Sequence, residues 1–567
     1  MKIKVVSVIC VVVLLLSIHP SIAQTIEYLD AKSLKEVIHV KAKPVSEGTL
    51  RVPLITWGGD TATILALTSG IFKEEGLNVE LFAENNFPKQ IEECLSGKSP
   101  YLRGTMGMIN AASEVFNEQG KDLTVIYQMT WSTGGDAMVV RPQKNLANIR
   151  TVALQLYGPH MDYAANLFRN NRRLSEVKFK WLKELSLPTY STDKIVDPVS
   201  AFASQASLDA VMCIIPDALA LTSGGKEGTG AAGSVKGATI LLSTKTASRI
   251  IADVYAVRKD YLDTNRKSVE KFVHALMRGE EALRDLLKNK KTEQAKYQQL
   301  LTKSAELLLD APQATADVEA LLADCEFVGY TGNLSFFTGK GTTRTLNTLT
   351  GEIQSAFIQL KLLNKEVPIA SAEWDYNTMA EGLKYATSIP ASKTKFDKKK
   401  VAAKVEKQIT VEPTTWAEEG MLFEVEINFK PNQSDFTEAE YAKDFQKAIQ
   451  IAQTYGGSLV VIEGHSDPLG ILKARQKGQS QVELSMMEQQ ARNLSLKRAD
   501  SVRKSFLKFS NNKGLVIDDS QFIAVGIGVK YPKFNPPRTK DEWAANRRVV
   551  FRIKEVEAEL EEFTPLN

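Results

Sequence analysis

A lysine-rich stretch at residues 386–417 divides the sequence into two parts that follow different patterns. It holds seven lysines between Lys393 and Lys407 and few apolar residues, so it cannot bury a core of its own. We predict an exposed linker that serves as a solvated spacer. The alternative is that its positive charges bind an anionic polymer or lipid. We expect the parts on its two sides to be separate domains.

Before the linker, residues 48–385 alternate short apolar runs with longer helical stretches. The apolar runs predict buried strands at Arg51–Thr56, Leu123–Tyr127, Ala137–Val140 and Val152–Leu154, and the longer stretches predict helices at Ala62–Glu75 and Val269–Leu287. Strands that alternate with helices indicate an α/β domain with mainly parallel sheets. The part is too long for one ordinary core, so we expect two lobes.

After the linker, residues 418–555 predict a small α+β sandwich, which we call the C-terminal module. Strands are predicted at Phe423–Phe429, Ser458–Glu463, Phe522–Val525 and Arg548–Ile553, and helices at Ala439–Tyr455 and Leu494–Lys508. The chain is 43% hydrophobic and 24% charged, which is ordinary for globular proteins, so we expect both parts to fold.

The first 23 residues have the layout of a cleavable secretory signal. Lys2 and Lys4 precede an apolar run from Val5 to Leu16, and the small-residue pattern Ser21-Ile22-Ala23 follows. A permanent anchor is the alternative, but the run is shorter than the ~20 residues that a spanning helix needs. We therefore expect an exported, periplasmic protein. Its net charge of +4 is small for 567 residues and gives no reason to expect nucleic acid as a partner.

The sequence lacks the patterns of a metal, cofactor or catalytic site. Its five histidines are not at ligand spacing, and we expect His465 to be a turn residue that satisfies backbone groups. The glycine-rich segment Gly224–Gly233 matches no nucleotide-binding fingerprint and predicts a surface loop. Cys94, Cys213 and Cys325 allow one disulfide at most, and buried free thiols are the alternative. We predict a protein that is not an enzyme and needs no metal or cofactor.

Three motifs follow one another in the C-terminal module. They are Gly464-His-Ser-Asp467 after a predicted strand, Leu494-Ser-Leu-Lys-Arg-Ala499 in a predicted helix, and Asn546-Arg-Arg-Val549 at the last strand. In order, spacing and residue type they resemble the OmpA-like peptidoglycan-binding family. The resemblance implies that the module binds peptidoglycan through the diaminopimelate of its stem peptide. The residues that it implies for this site are Ser466, Asp467, Leu494, Arg498 and Arg547.

By this resemblance, Asp467 binds the ammonium group of diaminopimelate and Arg498 binds its carboxylate, with Arg547 as a further contributor. A zwitterion requires both charges in one pocket, and arginine can bind a carboxylate through two parallel hydrogen bonds. The alternative is that Asp467 and Arg498 form a plain surface ion pair. Such a pair would contribute only about 0–1 kcal/mol to stability.

The sequence departs from the family pattern at two places. Ala491 stands where the family has an asparagine, three residues before the leucine of the helix motif. The segment 471–493 is longer than usual, and we expect it to be a loop that borders the site. With the helix beginning near Leu494, we also expect its first backbone amides to face a carboxylate.

Four segments of residues 48–385 carry a second resemblance. They are Gly70–Glu80, Gly134–Arg141, Leu208–Pro216 and Val254–Arg258 with the helix that follows it. They are similar to segments of the periplasmic substrate-binding proteins of ABC importers for nitrate, sulfonates, taurine and thiamine precursors. The resemblance implies a two-lobed periplasmic-binding-protein-like α/β domain whose hinge closes over a small solute.

Residues at the predicted strand ends are candidates for the solute cleft, because ligands of such folds bind at strand ends and helix N-termini. Hydroxyl and amide groups at helix starts suit an anion, and tryptophans can stack on a solute or seal a cleft. For each residue the alternative is a turn or a core position. The candidates are Trp57, Gly58, Asp60, Thr61, Trp131, Ser132, Thr133 and Tyr157.

These observations predict a periplasmic solute-binding protein that is anchored non-covalently to peptidoglycan. It would capture a small solute, with anions among the candidates, for an ABC permease or a sensing partner. One alternative is an envelope scaffold that links the wall to another protein. Another is an enzyme related to thiamine-precursor synthesis.

Overall fold

The computed structural model describes residues 25–46, 48–170, 176–185, 194–231, 233–387, 421–428 and 441–554. The predicted signal sequence and all but the first two residues of the predicted linker lie outside these ranges. None of the helices within them has the length and apolar character that crossing a membrane requires.

The elements are numbered in chain order. The strands are β1 Thr25–Ile26, β2 Leu50–Leu54, β3 Val79–Ala83, β4 Tyr101–Thr105, β5 Leu123–Ser132, β6 Asp136–Val140, β7 Thr151–Gln155, β8 Lys178–Leu182, β9 Lys194–Ile195, β10 Ala210–Ile214, β11 Thr239–Ser243, β12 Ala252–Arg258, β13 Cys325–Phe327, β14 Ala370–Ser371, β15 Met421–Asn428, β16 Leu459–His465, β17 Phe522–Gly528 and β18 Arg548–Lys554. The helices are α1 Asp60–Thr68, α2 Ile71–Glu74, α3 Phe87–Leu95, α4 Met106–Asn117, α5 His160–Asn170, α6 Pro198–Ser204, α7 Ile215–Leu221, α8 Lys259–Lys288, α9 Gln294–Leu309, α10 Thr315–Ala323, α11 Gly329–Thr338, α12 Leu346–Gln359, α13 Tyr376–Met379, α14 Ala442–Thr454, α15 Leu469–Gln476, α16 Gln481–Asn512 and α17 Lys540–Asn546.

The first lobe is built on a sheet with the strand order β13-β5-β12-β4, and β14 pairs with β5 outside this order. The parallel pair β2–β3 lies beside β4. Its core includes Leu54, Ile126, Val257 and Phe272, which are completely buried. The second lobe has the order β11-β6-β10-β7-β8, with α5 and α6 packed against it. The prediction of two α/β lobes is confirmed.

The prediction of mainly parallel sheets is wrong. In the first lobe β12 runs antiparallel to both β4 and β5, and in the second lobe β6 runs antiparallel to both β10 and β11. In the five-stranded sheet of this lobe, the pairs that β7 forms with β8 and β10 are parallel. The reason is that β6 and β12 enter their sheets from the other lobe and so oppose the strands beside them.

Among the described residues, two short segments lead from a sheet strand of one lobe to a sheet strand of the other. Residues 133–135 lead from β5 to β6, and residues 244–251, which we call the hinge segment, lead from β11 back to β12. They lie side by side, because Ser132 N donates to Ile251 O at 3.1 Å and Gly134 N donates to Thr244 Oγ1 at 3.0 Å.

Two predicted helices have different bounds in the structure. The stretch predicted as one helix at Ala62–Glu75 forms α1 and α2, because Gly70 between them has a φ of 80°, which a helix cannot contain. The helix predicted at Val269–Leu287 begins earlier, as part of α8, which has a kink at Asn265.

The C-terminal module has a four-stranded sheet of order β15-β18-β16-β17 with α14 and α16 packed on it. Phe445 of α14, Phe506 of α16 and Phe551 of β18 meet in its core, with ring centroids 5.3–6.3 Å apart. Helix α16 approaches the sheet closely at Gly464, where a Cβ would lie 1.9 Å from Ser495 O. The predicted α+β arrangement agrees with these elements.

The helix predicted to begin near Leu494 begins instead at Gln481. Ser480 and Glu483 form a capping box that starts it, since each side chain accepts from the backbone N–H of the other. The segment 471–493, expected to be a loop, is therefore mostly helical, as α15 and the first turns of α16.

Candidate functional site

The residues of the three C-terminal motifs converge beyond the end of β16. Asp467 follows this strand and Arg547 precedes β18, and Asp467 Oδ2 lies 3.6 Å from Arg547 Nη1. The other carboxylate oxygen, Asp467 Oδ1, accepts from Leu469 N at 3.1 Å. This backbone contact orients the carboxylate, so one oxygen is held in the turn and the other is directed toward a cation.

Arg498 supplies a second guanidinium close to the first. It lies in the middle of α16 and is 2% exposed. Burial lowers the pKa of Arg498, and the positive charge of Arg547 lowers it further. Within the described ranges, Arg547 Nε is buried and has no hydrogen-bond partner. The buried guanidinium of Arg498 and the half-buried guanidinium of Arg547 repel each other, and a bound anion would relieve that repulsion.

Ser466 and Leu494 have different positions in this site. Ser466 N donates to Gly528 O at 2.8 Å, and its Oγ donates to the carbonyl of Ala491 at 3.1 Å. Ser466 therefore ties the loop after β16 to α16, and Ala491 takes part through its backbone. Leu494 is 40% exposed on α16.

Two expectations for this site are wrong. The backbone amides near Leu494 lie inside α16, where they bond along the helix, so they are not available to a carboxylate. His465 is the last residue of β16 and is 1% exposed, with its Nε2 3.4 Å from Glu463 Oε2. It therefore contacts a buried carboxylate and is not a turn residue that satisfies backbone groups. Burial lowers the pKa of His465.

In the first lobe, Trp57 and Asp60 join a buried polar network. Arg103 donates to both oxygens of Asp60, at 3.1 and 2.9 Å, and to Asp253 at 2.9 Å. Thr130 Oγ1 accepts from Trp57 Nε1 at 3.0 Å and donates to Asp253 at 3.2 Å. Burial raises the pKa of Asp60 to about 6, and the charge of Arg103 opposes this rise. The network joins the start of α1 to the strand that returns from the second lobe.

Gly58 and Thr61 flank Asp60 and are both buried. A Cβ on Gly58 would lie 2.2 Å from Leu321 O, so α10 packs directly on this turn. Thr61 Oγ1, in the first turn of α1, has no hydrogen-bond partner among the residues that the structure describes.

Ser132 and Thr133 lie where the chain crosses between the lobes. Ser132 Oγ donates to Asp136 at 2.6 Å, and the other oxygen of Asp136 lies 2.9 Å from His160 Nε2. Thr133 N donates to Asp324 O at 2.8 Å. These contacts connect the crossing segment to α5 of the second lobe and to the turn after α10.

Trp131 and Tyr157, the two remaining candidates, are also buried. Trp131 packs edge-on against Phe336 at 6.2 Å, and the guanidinium of Arg249 lies 5.6 Å from its ring. Tyr157 donates its hydroxyl proton to Lys32 O at 2.8 Å. Tyr157 therefore contacts the segment before the first lobe.

Asp162 was not among the candidates, but it connects the two lobes. It lies on α5 of the second lobe and accepts from Gly107 N, at the start of α4 in the first lobe, at 3.2 Å. Burial raises the pKa of Asp162 to about 8. Arg103 and Asp253 were also missed, although a charged residue inside an apolar strand is a signal for a buried ion pair.

Over the described part of the chain, no group of histidine, cysteine, aspartate and glutamate side chains could hold a metal ion. Cys94, Cys213 and Cys325 are buried free thiols.

Neither protein-family models nor curated proteins match the sequence. Among solved structures, 58% of the chain aligns with 99% of a Candida albicans protein described as having the generic periplasmic binding protein fold, at 13% identity and a TM-score of 0.38. A similar alignment, of 57% of this chain with 90% of the periplasmic aliphatic sulphonate binding protein of Escherichia coli, has 13% identity and a TM-score of 0.38. A third alignment, of 25% of this chain with 98% of the peptidoglycan-associated lipoprotein of Burkholderia pseudomallei, has 19% identity and a TM-score of 0.17. Similarities this distant assign neither a ligand nor a partner to the chain.

Proposed function

We propose that this chain is a periplasmic solute-binding protein anchored non-covalently to peptidoglycan, which captures a small solute for an ABC permease or a sensing partner. The observation that carries the anchoring part is the convergence of Asp467, Arg498 and Arg547 beyond β16. These side chains put one carboxylate and two guanidiniums in one partly buried place.

The charges suit the free end of diaminopimelate, which has an ammonium and a carboxylate on one carbon. Asp467 Oδ2, which lies beside Arg547, accepts a hydrogen bond from the ammonium. Arg498 and Arg547 then bind the carboxylate between them, and the repulsion between the two guanidiniums falls. Because Leu494 is exposed on the same helix, it offers an apolar contact to the rest of the stem peptide.

The solute part of the proposal rests on the two lobes and on the groups between them. The crossing segments and the contact from Asp162 to Gly107 join the two lobes. Thr61 Oγ1 is buried at the N-terminal end of α1 and has no partner among the described residues, so it is a candidate donor to an anionic solute.

Co-sedimentation of the full chain with purified peptidoglycan sacculi tests the anchoring. Asp467→Asn removes the charge while an amide oxygen can still accept from Leu469 N, and Arg498→Lys keeps the charge but cannot form two parallel hydrogen bonds. Each should weaken binding by about 10–100-fold, the value of a charge-assisted hydrogen bond. Lys497→Ala, an exposed neighbour on α16, is the matched control. Wild-type affinity in both site variants would rule out this site.

A further inference from the structure

The C-terminal module is docked on the segment that connects the two lobes. Arg249 N, in the hinge segment, donates to Thr454 O at 3.1 Å, and Gly457 N donates to Thr246 O at 3.2 Å. A Cβ at position 457 would lie 1.7 Å from Lys245 O, so only glycine permits this approach. These backbone hydrogen bonds fix the module against the hinge segment in one register.

A glutamine of the module binds a second part of the lobes. Gln453 Oε1 accepts from the N–H and from the hydroxyl of Thr343, both at 2.7 Å. Its amide nitrogen donates to Val516 O at 2.9 Å, and Val516 N donates to Gly341 O at 2.9 Å. The turn before α12 is therefore held by two separate segments of the module.

Glu352 connects the module with the second lobe and with the hinge segment. Its carboxylate accepts from Gln450 of the module at 2.8 Å, from Asn166 of α5 at 3.2 Å, and from Arg344 at 2.9 and 3.0 Å. Arg344 also donates from Nε to Arg249 O at 3.0 Å. One carboxylate thus joins three parts of the molecule.

Helix α12, which carries Glu352, spans both lobes. Gln354 donates to Asn110 of α4 in the first lobe at 2.8 Å, whereas Glu352 accepts from Asn166 in the second lobe. Buried apolar side chains continue from this helix into the module, and Phe357 and Tyr455 belong to the same cluster. Rotation of one lobe away from the other must therefore disturb the surface on which the module rests.

We propose that the module regulates the solute site: docked as it is here, it holds the two lobes in the arrangement in which Asp162 bonds Gly107, and its release frees them to move apart. This inference rests on the proposed function only in naming the site that is regulated. The surface formed by the hinge segment, the turn at 341–343 and Glu352 is thus an internal binding surface whose partner is the wall-binding module. A ligand that prefers one lobe arrangement must then also change how firmly the module is held, because such coupling is reciprocal.

Hydrogen exchange of the full chain tests the proposal at the amide of Gly107, which is bonded across the lobes to Asp162. Gly457→Ala should break the docking, and Gln450→Ala combined with Gln453→Ala removes its side-chain hydrogen bonds while leaving the backbone unchanged. Gly351→Ala is the matched control, because this glycine is exposed on α12 and a Cβ there meets nothing within 4 Å.

We expect the Gly107 amide to exchange about tenfold faster or more in the Gly457 variant and in the glutamine double variant, and at the wild-type rate in the control. If the Gly457 variant does not fold, the exchange rate of the Gly107 amide in the glutamine double variant tests the proposal. Unchanged exchange at Gly107 in a folded docking variant would overturn the proposal. Binding of the same samples to sacculi tests the proposed function and not the regulation by docking. Failure of the proposed function can therefore be distinguished from failure of this inference.

Discussion

Replacing Arg103 with methionine should destabilise the chain by about 3–5 kcal/mol, the usual cost of removing one partner from a buried ionic cluster. Arg103 is completely buried, and three of its hydrogen bonds run to the carboxylates of Asp60 and Asp253. Methionine fills similar space without a charge. Two carboxylates would then face each other in the core with no cation to stabilise them.

The loss of stability caused by Arg103→Met should depend on pH. Burial already raises the pKa of Asp60 to about 6 and raises the pKa of Asp253. Without Arg103 both pKa values should rise further, so each carboxyl group can take up a proton and limit the damage at low pH. The destabilisation relative to wild type should therefore be larger at pH 8 than at pH 5.

Urea denaturation followed by tryptophan fluorescence measures this effect, since Trp57 belongs to the same network. Arg51→Met is the matched control. Arg51 is 31% exposed, lies 3.5 Å from Glu80 and 3.7 Å from Glu93, and stays in contact with solvent, so its loss should cost less than that of the completely buried Arg103. The reasoning would be refuted if Arg103→Met cost less than the control, or cost the same at both pH values.

Three further predictions concern other parts of the chain. Burial raises the pKa of Asp162 and of Glu280 to about 8, so the folded state holds these protons more tightly than the unfolded chain does. The stability they support is lost as pH rises through that value. Urea denaturation between pH 6 and 8 should show the free energy of unfolding falling by up to about 1.4 kcal/mol per pH unit for each group. Asp162→Asn should make this fall with pH less steep. A free energy of unfolding that does not change with pH in the wild type would contradict the prediction. Gly464→Ala should lower the melting temperature of the module, because its Cβ would lie 1.9 Å from Ser495 O. The control Gly470→Ala should leave the melting temperature unchanged, because its Cβ meets nothing nearer than 4.0 Å. Equal melting temperatures in the two variants would argue against the close packing of α16. A thermal-shift screen of the full chain against nitrate, sulfonates, phosphate, amines, pyrimidines and sugars should yield a stabilising solute. At a hundredfold excess over its Kd, the solute should raise the free energy of unfolding by about 2.7 kcal/mol. If no solute raises the melting temperature, the envelope-scaffold alternative is favoured.

The sequence predicted the broad architecture well because strand and helix periodicity is a local property. The strand directions were missed because they depend on chain crossings. A strand such as β12 has the same apolar pattern whether its neighbours run with it or against it, and only its return from the second lobe makes it antiparallel. The start of α16 was missed because the resemblance drew attention to Leu494, while the capping box at Ser480 and Glu483 was readable in the sequence.

The same distinction applies to the sites. Asp467 and Arg547 could be expected in one site because their motifs resemble those of the OmpA-like family, and the structure has them 3.6 Å apart. Arg103 and Asp253 could not be joined from the sequence, because β4 and β12 are far apart in the chain and become neighbours only in the folded sheet. Asp162 was missed because its partner, the amide of Gly107, belongs to the other lobe. The docking of the module was invisible for a similar reason. Gly457 carries no motif, and its importance comes from the carbonyl of Lys245 that it approaches.

The backbone hydrogen bonds from Arg249 to Thr454 and from Gly457 to Thr246 also change the role that the lysine-rich linker would have. If the module hung freely on that linker, the height of the solute site above the wall would vary with linker length. With the module packed on the lobes, the contacts between them set this height. The linker then needs only to be long enough to span from the lobes to the module. On the proposed function, shortening or lengthening the linker within that limit should leave the solute site at the same distance from the wall.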